Sequence, residues 1–184
     1  MTVQDLLRRL LDALAQADIP YMLTGSYASS LHSVPRATRD IDLVIFPNRE
    51  QLTKFIQLLP DSSYHADLGT ALEALRRRTQ FNVIDYATGW KVDFIIPPLE
   101  EFNVEEFERR QTIEFEGMSL LVISSEDIII AKLLWAREGE SELQLRDAAT
   151  VLQSQASKLD LAYIQRWVRR LKLDEQWRLA QAMT

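Results

Sequence analysis

Apolar residues Val3, Leu6, Leu7, Leu10, Leu11 and Leu14 recur every three or four positions, the spacing of one helix face. They predict a helix over 3–17, which Pro20 ends. Tyr21-Met22-Leu23 is a short apolar run that reads as a buried strand entering Thr24-Gly25-Ser26, and residues 26–32 read as a second short helix. After a loop at 34–38, Asp40 to Phe46 alternates and is rich in branched residues, so it predicts a strand. A helix follows over 50–59, then an irregular polar stretch over 60–70 and a short helix over 71–77. Residues 81–86 and 91–96 predict a hairpin, closed by Pro97-Pro98; residues 110–115 and 118–123 predict another, turning at Glu116-Gly117.

From Ser124 onward the period changes. Ser124 or Ser125 can cap a helix whose first turn carries Glu126 and Asp127, which suits the helix dipole. Helices are expected at 126–137, 141–153, 159–170 and 174–182. The fold class is therefore α/β (α+β), a mixed sheet flanked by helices over 1–123 followed by an all-helical region over 124–184. With no Gly/Pro linker at that boundary, the helical region is expected to pack on the first part.

Composition narrows the chemistry more than the fold. With no cysteine, the chain has no disulfide framework, thiolate nucleophile or cysteine-ligated metal. With only His32 and His65, it has no multi-histidine metal site. No stretch approaches the apolar length of a membrane helix, so the expected address is cytoplasmic. The net charge of −6 argues against indiscriminate coating of nucleic acid, and no DNA-reading motif is present.

The informative segment is Leu23-Thr24-Gly25-Ser26-Tyr27-Ala28 followed by Asp40-Ile41-Asp42. Carboxylates two apart on a strand share a face. Held that close they repel, and a hard divalent cation relieves the repulsion, which points to Mg²⁺ or Mn²⁺. Asp93 interrupts an apolar strand, which is costly unless it is paired or metal-bound. Three strand carboxylates on one face would make a two-metal site. Gly25-Ser26, entering a helix N-terminus, suits a triphosphate.

Gly25-Ser26, Arg36-Ala37-Thr38-Arg39-Asp40-Ile41-Asp42-Leu43 and Lys91-Val92-Asp93 together resemble the nucleotidyltransferase superfamily of the DNA polymerase β type. The likeness is to its small prokaryotic members, the minimal nucleotidyltransferases and the toxin-like enzymes of abortive-infection systems. Glu126-Asp127, Lys132 to Ala136 and Arg146-Asp147 look like the family's downstream motifs, so the resemblance runs from Tyr21 to about Leu152. It implies a polymerase β-like catalytic core over 1–123 and a metal-dependent transfer of NMP from an NTP to a hydroxyl acceptor (RNA, protein or small molecule). By it, Asp40, Asp42 and Asp93 are catalytic metal ligands. Gly25, Ser26, Arg36 and Thr38 contact the nucleotide, with Lys132 as a phosphate contact and Asp147 as an organising acid. A toxin–antitoxin or phage-defence role would add a cognate protein partner. The alternative is a catalytically inactive module of the same fold, acting as an antitoxin or regulatory subunit.

Plainer readings stand beside these. Asp40 and Asp42 can be outward charges of an edge strand, and Asp93 can be a salt-bridge partner of Lys91. Asp85 is a rival third carboxylate, since it too interrupts an apolar strand. Lys132 can snorkel from an amphipathic helix, and Asp147 can pair with Arg146 or Arg137. Arg76-Arg77-Arg78 and the cluster Arg166, Arg169, Arg170 and Lys172 are RNA contacts or solvated faces. Trp135, Trp167 and Trp177 are expected in the helical core.

Overall fold

The computed structural model describes residues 2–33, 40–139 and 141–184. The first helix, α1 (Val3–Gln16), begins with a capping box: Asp5 N–H donates to Thr2 Oγ1, and Thr2 N–H donates to the Asp5 carboxylate. Its stripe of Leu6, Leu7, Leu10, Ala13 and Leu14 is buried. The elements that follow are β1 (Tyr21–Thr24), α2 (Gly25–His32), β2 (Asp40–Ile45), α3 (Arg49–Gln57), β3 (Tyr64–His65) and α4 (Leu68–Arg77). Then come β4 (Gln80–Asp85), β5 (Lys91–Ile95), α5 (Glu101–Glu108), β6 (Gln111–Phe115) and β7 (Met118–Val122). The chain ends with α6 (Ser125–Gly139), α7 (Glu142–Ser154), α8 (Leu161–Arg170) and α9 (Asp174–Gln181).

This is the expected α/β class, with both hairpins and the four C-terminal helices in place. The turn between β6 and β7 uses Glu116 and Gly117, both with positive φ (47° and 74°), the backbone of a two-residue type I′ turn. Two elements add to the expected set. β3 lies in the stretch expected to be irregular, and α5 lies between Pro98 and Arg110. Among the described residues no helix is long and apolar enough to cross a membrane.

The chain forms two compact units, Met1–Thr24 with Thr38–Val122, and Gly25–Ala37 with Ile123–Thr184. The first unit holds a seven-stranded mixed sheet in the order β3-β4-β5-β2-β1-β7-β6. β2 is interior, parallel to β5 and antiparallel to β1, so its carboxylates are not on an edge strand. One face of the sheet is apolar. Leu23, Leu43, Phe94 and Phe81 lie side by side across four strands, all buried. Phe94 is packed between Phe81 (ring centroids 5.2 Å apart, stacked) and Phe55 of α3 (5.0 Å). Such contacts add roughly 0.5–1.5 kcal/mol each beyond the burial of area.

In the second unit, α2 packs with α6 and α7, and α6 also packs with α8 and α9. Ser124 is the cap of α6, its Oγ accepting from Asp127 N–H. Asp127 is fully buried because its carboxylate has donors, Ser124 Oγ and Tyr163 Oη at 2.5 Å each. Trp167 and Trp177 are buried as expected, whereas Trp135 is 54% exposed. The buried stripe of α6 runs through Ile129, Ile130, Leu133 and Ala136, and position 135 falls off it.

Candidate active site

The other face of the sheet is polar where the apolar face is richest. Strand register fixes which side chains meet there, because directly opposed residues project from the same side. Thr24 is opposite Asp42, Asp42 is opposite Asp93, and Asp93 is opposite Asn82. These four form a row across β1, β2, β5 and β4. The next row places Asp40 opposite Lys91, then Ile84 and His65. Thr24 and Asp93 are buried, Asp42 is half-buried, and Asp40, at the start of its strand, is exposed.

The structure thus brings Asp42 and Asp93 together as cross-strand neighbours, with Asp40 on the same face. A cation already sits among them. Lys91 Nζ donates to Asp93 Oδ2 at 2.7 Å and lies 3.7 Å from Asp40 Oδ1. The hydrogen bond to Asp93 raises the Lys91 ammonium above its ordinary range, supported by the charges of Asp93, Asp40 and Asp42 and opposed by partial burial. The salt-bridge reading of Asp93 is therefore realised, and on the face that carries the other two carboxylates. Thr24 and Asn82 belong to the same row. The alternation of strand residues signals Asn82 through its place in the 81–86 and 91–96 hairpin, but only the register puts it beside Asp93.

This donor set suits a hard divalent cation, being oxygen-only and already collecting an ammonium charge. The fit is that of a pair, Asp42 with Asp93, with Asp40 beside it. Among the described residues, no three His, Asp or Glu side chains are gathered closely enough to hold a metal ion.

Asp85 is removed as a rival by the same alternation. It shares the apolar face with Phe81 and Val83 and is opposite the buried Tyr64. Its carboxylate is completely enclosed, accepting from Arg9 Nη2 at 3.0 Å, Thr88 N–H at 2.9 Å and Thr88 Oγ1 at 2.6 Å. It is a structural anchor for α1 and for the turn after β4.

The second unit gathers its own set. Gly25 opens α2 with φ +69°, a left-handed conformation that a side chain would strain. Its carbonyl and that of Ser26 accept from Ser29 and Ser30 Oγ, both at 3.1 Å. Lys132 of α6 is 4% exposed, and its ammonium donates to Asp147 Oδ2 at 3.0 Å and reaches Ser26 Oγ at 3.5 Å. Lys132 does not snorkel; it is held inside by Asp147 of α7. Arg146 pairs with Glu142 instead, at 2.6 Å. Ser26, Lys132 and Asp147 are thus one cluster. Arg36 and Thr38 lie outside the described residues.

His32 closes α2. Its Nε2 is 2.6 Å from the Ile123 carbonyl and its Nδ1 is 3.1 Å from Ser125 Oγ. Gln155 Nε2 donates to the His32 carbonyl at 2.6 Å. Burial lowers the His32 pKa, opposed by the Ile123 hydrogen bond and the charge of Glu126. His65 is exposed. Of the basic runs, Arg76 and Arg77 pair with Glu73 on the surface of α4, while Arg166 and Arg170 lie over the Trp167 ring at 5.3 and 4.6 Å.

No protein-family model and no curated protein matches the sequence. Solved structures do match. The solution structure of the antibiotic-resistance factor ANT(2'')-Ia has a TM-score of 0.53 at 15% identity, covering 97% of this chain and 93% of that one. An antigenic nucleotidyltransferase-like protein from Paracoccidioides brasiliensis has a TM-score of 0.51 at 16% identity, covering 95% and 92%. The crystal structure of ANT(2'')-Ia with adenylyl-2''-tobramycin has a TM-score of 0.50 at 16% identity, covering 99% and 97%. At these identities the likeness is one of fold. The chain has the nucleotidyltransferase fold, as its residues led us to expect.

Proposed function

We propose that this protein is a metal-dependent nucleotidyltransferase that moves NMP from an NTP to a hydroxyl acceptor. The observation that carries the reading is the row Thr24, Asp42, Asp93 and Asn82, with Asp40 beside it, on the polar face of a nucleotidyltransferase-fold sheet. Asp40, Asp42 and Asp93 would hold Mg²⁺ or Mn²⁺, whose chemistry there is to neutralise phosphate charge and lower the pKa of the acceptor hydroxyl. Asp93 takes the hydroxyl proton. The freed oxygen forms a bond to the α-phosphorus as the bond to the β-phosphate oxygen breaks, and pyrophosphate leaves. Gly25 and Ser26 contact the β- and γ-phosphates, with Lys132 supplying positive charge and Asp147 fixing its position. By the resemblance, Arg36 and Thr38 would add nucleotide contacts.

RNA, a protein side chain and a small molecule are the acceptor classes. The last draws support from the adenylylated tobramycin bound in the ANT(2'')-Ia crystal. A toxin-like role would add a cognate protein partner. Two observations favour the alternative of a catalytically quiet binding module: an ammonium already holds Asp93, and no three-carboxylate cage is formed among the described residues.

The test is to incubate the protein with each α-phosphate-labelled NTP, Mg²⁺ or Mn²⁺, and separately total RNA, a protein extract and an aminoglycoside panel. The enzyme reading expects label in one acceptor class with equimolar pyrophosphate release, both lost in Asp42→Asn. Label no higher than in Asp42→Asn across all combinations supports the quiet module.

A further inference from the structure

Lys91 meets the carboxylate row both by contact, with Asp93 and Asp40, and by register, and the reading above gives it no task. Its position follows from two rules. It precedes Asp93 by two on β5, so the two share a face; it is opposite Asp40 on β2, so its stem starts beside that carboxylate. The side chain is 42% exposed, whereas the Asp93 side chain it bonds is only 10% exposed. The anchor is therefore fixed and the ammonium is free to leave into solvent.

We propose that Lys91 is a built-in counter-ion, a positioning residue whose ammonium occupies the carboxylate row in the metal-free protein and is displaced when a divalent cation binds. This rests on the reading of the row as the metal site. Asp42 and Asp93 are adjacent like charges on one sheet face, an arrangement that repels when nothing neutralises it. Lys91 reduces that repulsion and keeps Asp93 in place. A divalent cation on the same oxygens brings two positive charges to within a few ångströms of a third, so the two cations oppose each other. The lysine swings outward because its long stem and exposed side allow it. The stored preference sets the metal affinity: tight enough to fill when nucleotide phosphates add their own charge, weaker with metal alone.

The test is calorimetric titration of Mn²⁺ alone into wild type, Lys91→Met and Lys91→Gln, with thermal unfolding of each in chelator and in saturating Mn²⁺. Both variants should bind Mn²⁺ more tightly, by on the order of threefold to fivefold, the scale of a partly solvated ion pair. Both should melt lower than wild type in chelator and recover that loss in Mn²⁺. Mn²⁺ affinity unchanged or weakened in both variants overturns the counter-ion role while leaving the metal site standing. Absence of Mn²⁺ binding in wild type and variants alike overturns both, and the reading of the row with them.

Discussion

Asp85 and Asp93 are chemically the same residue on neighbouring strands, and the structure puts them on opposite faces of the sheet, so replacing each by asparagine separates scaffold from proposed site. Asp85 has no exposed side-chain surface and accepts three hydrogen bonds, two of them from Thr88. Bonds to a charged acceptor contribute about 1.5–3 kcal/mol each when isolated, less when they share one group. The Arg9 partner is 38% exposed, so its share is discounted toward the surface ion-pair range, below about 1 kcal/mol. Asparagine keeps one oxygen but turns an NH₂ toward donors. A loss of about 3 kcal/mol results, which in a chain of this length lowers Tm by roughly 6–12 °C. Asp93→Asn removes a charge that faces Asp42 and one bond to a half-exposed lysine. These nearly cancel, and Tm should stay within roughly 2 °C of wild type or rise. The assay is thermal unfolding in chelator, so no metal enters the comparison. Equal losses in the two variants, or a larger loss for Asp93→Asn, would refute the division of the sheet into a structural face and a working face.

Other outcomes follow from the second unit. His32 titrates below its ordinary value of 6.5 because it is buried, so the unfolded chain binds the extra proton first. Its contribution to stability is complete above pH 6.5 and is lost as the pH falls through the lowered folded value. Tm should therefore drop more steeply in acid for wild type than for His32→Gln; parallel curves would contradict this. Lys132→Met leaves the Asp147 carboxylate without its 3.0 Å partner and should cost about 2–3 kcal/mol. Adding Asp147→Asn should restore much of that stability without restoring nucleotide affinity. Recovery of both, measured by melting and by NTP titration, would make the pair purely structural.

Local pattern carried the element types far. The leucine stripe of α1, the D-I-D strand, both hairpins and the four C-terminal helices stand where apolar spacing places them. What it missed has physical reasons. β3 is two residues long, too short for any period. α5 buries Glu106 along with Phe102 and Phe107, and its N-cap residue Glu100 makes no side-chain cap bond, so neither stripe nor cap announces it. The order β4-β5-β2-β1 joins strands far apart in sequence, and only that register puts Asn82 and Lys91 with the aspartates. Asp85 and Asp93 look alike in sequence because each interrupts an apolar strand; the pairing of β4 with β5 decides which face each takes. Trp135 is expected in the core from its place in a helix, yet the phase of that helix leaves it exposed.

The most direct measurement is calorimetric titration of Mn²⁺ with each of the four NTPs into wild type and Asp42→Asn. The account predicts that wild type binds at least one NTP only when Mn²⁺ is present, and that Asp42→Asn, folded and melting near wild type, binds none. Metal-independent NTP binding, or binding that survives Asp42→Asn unchanged, would contradict it.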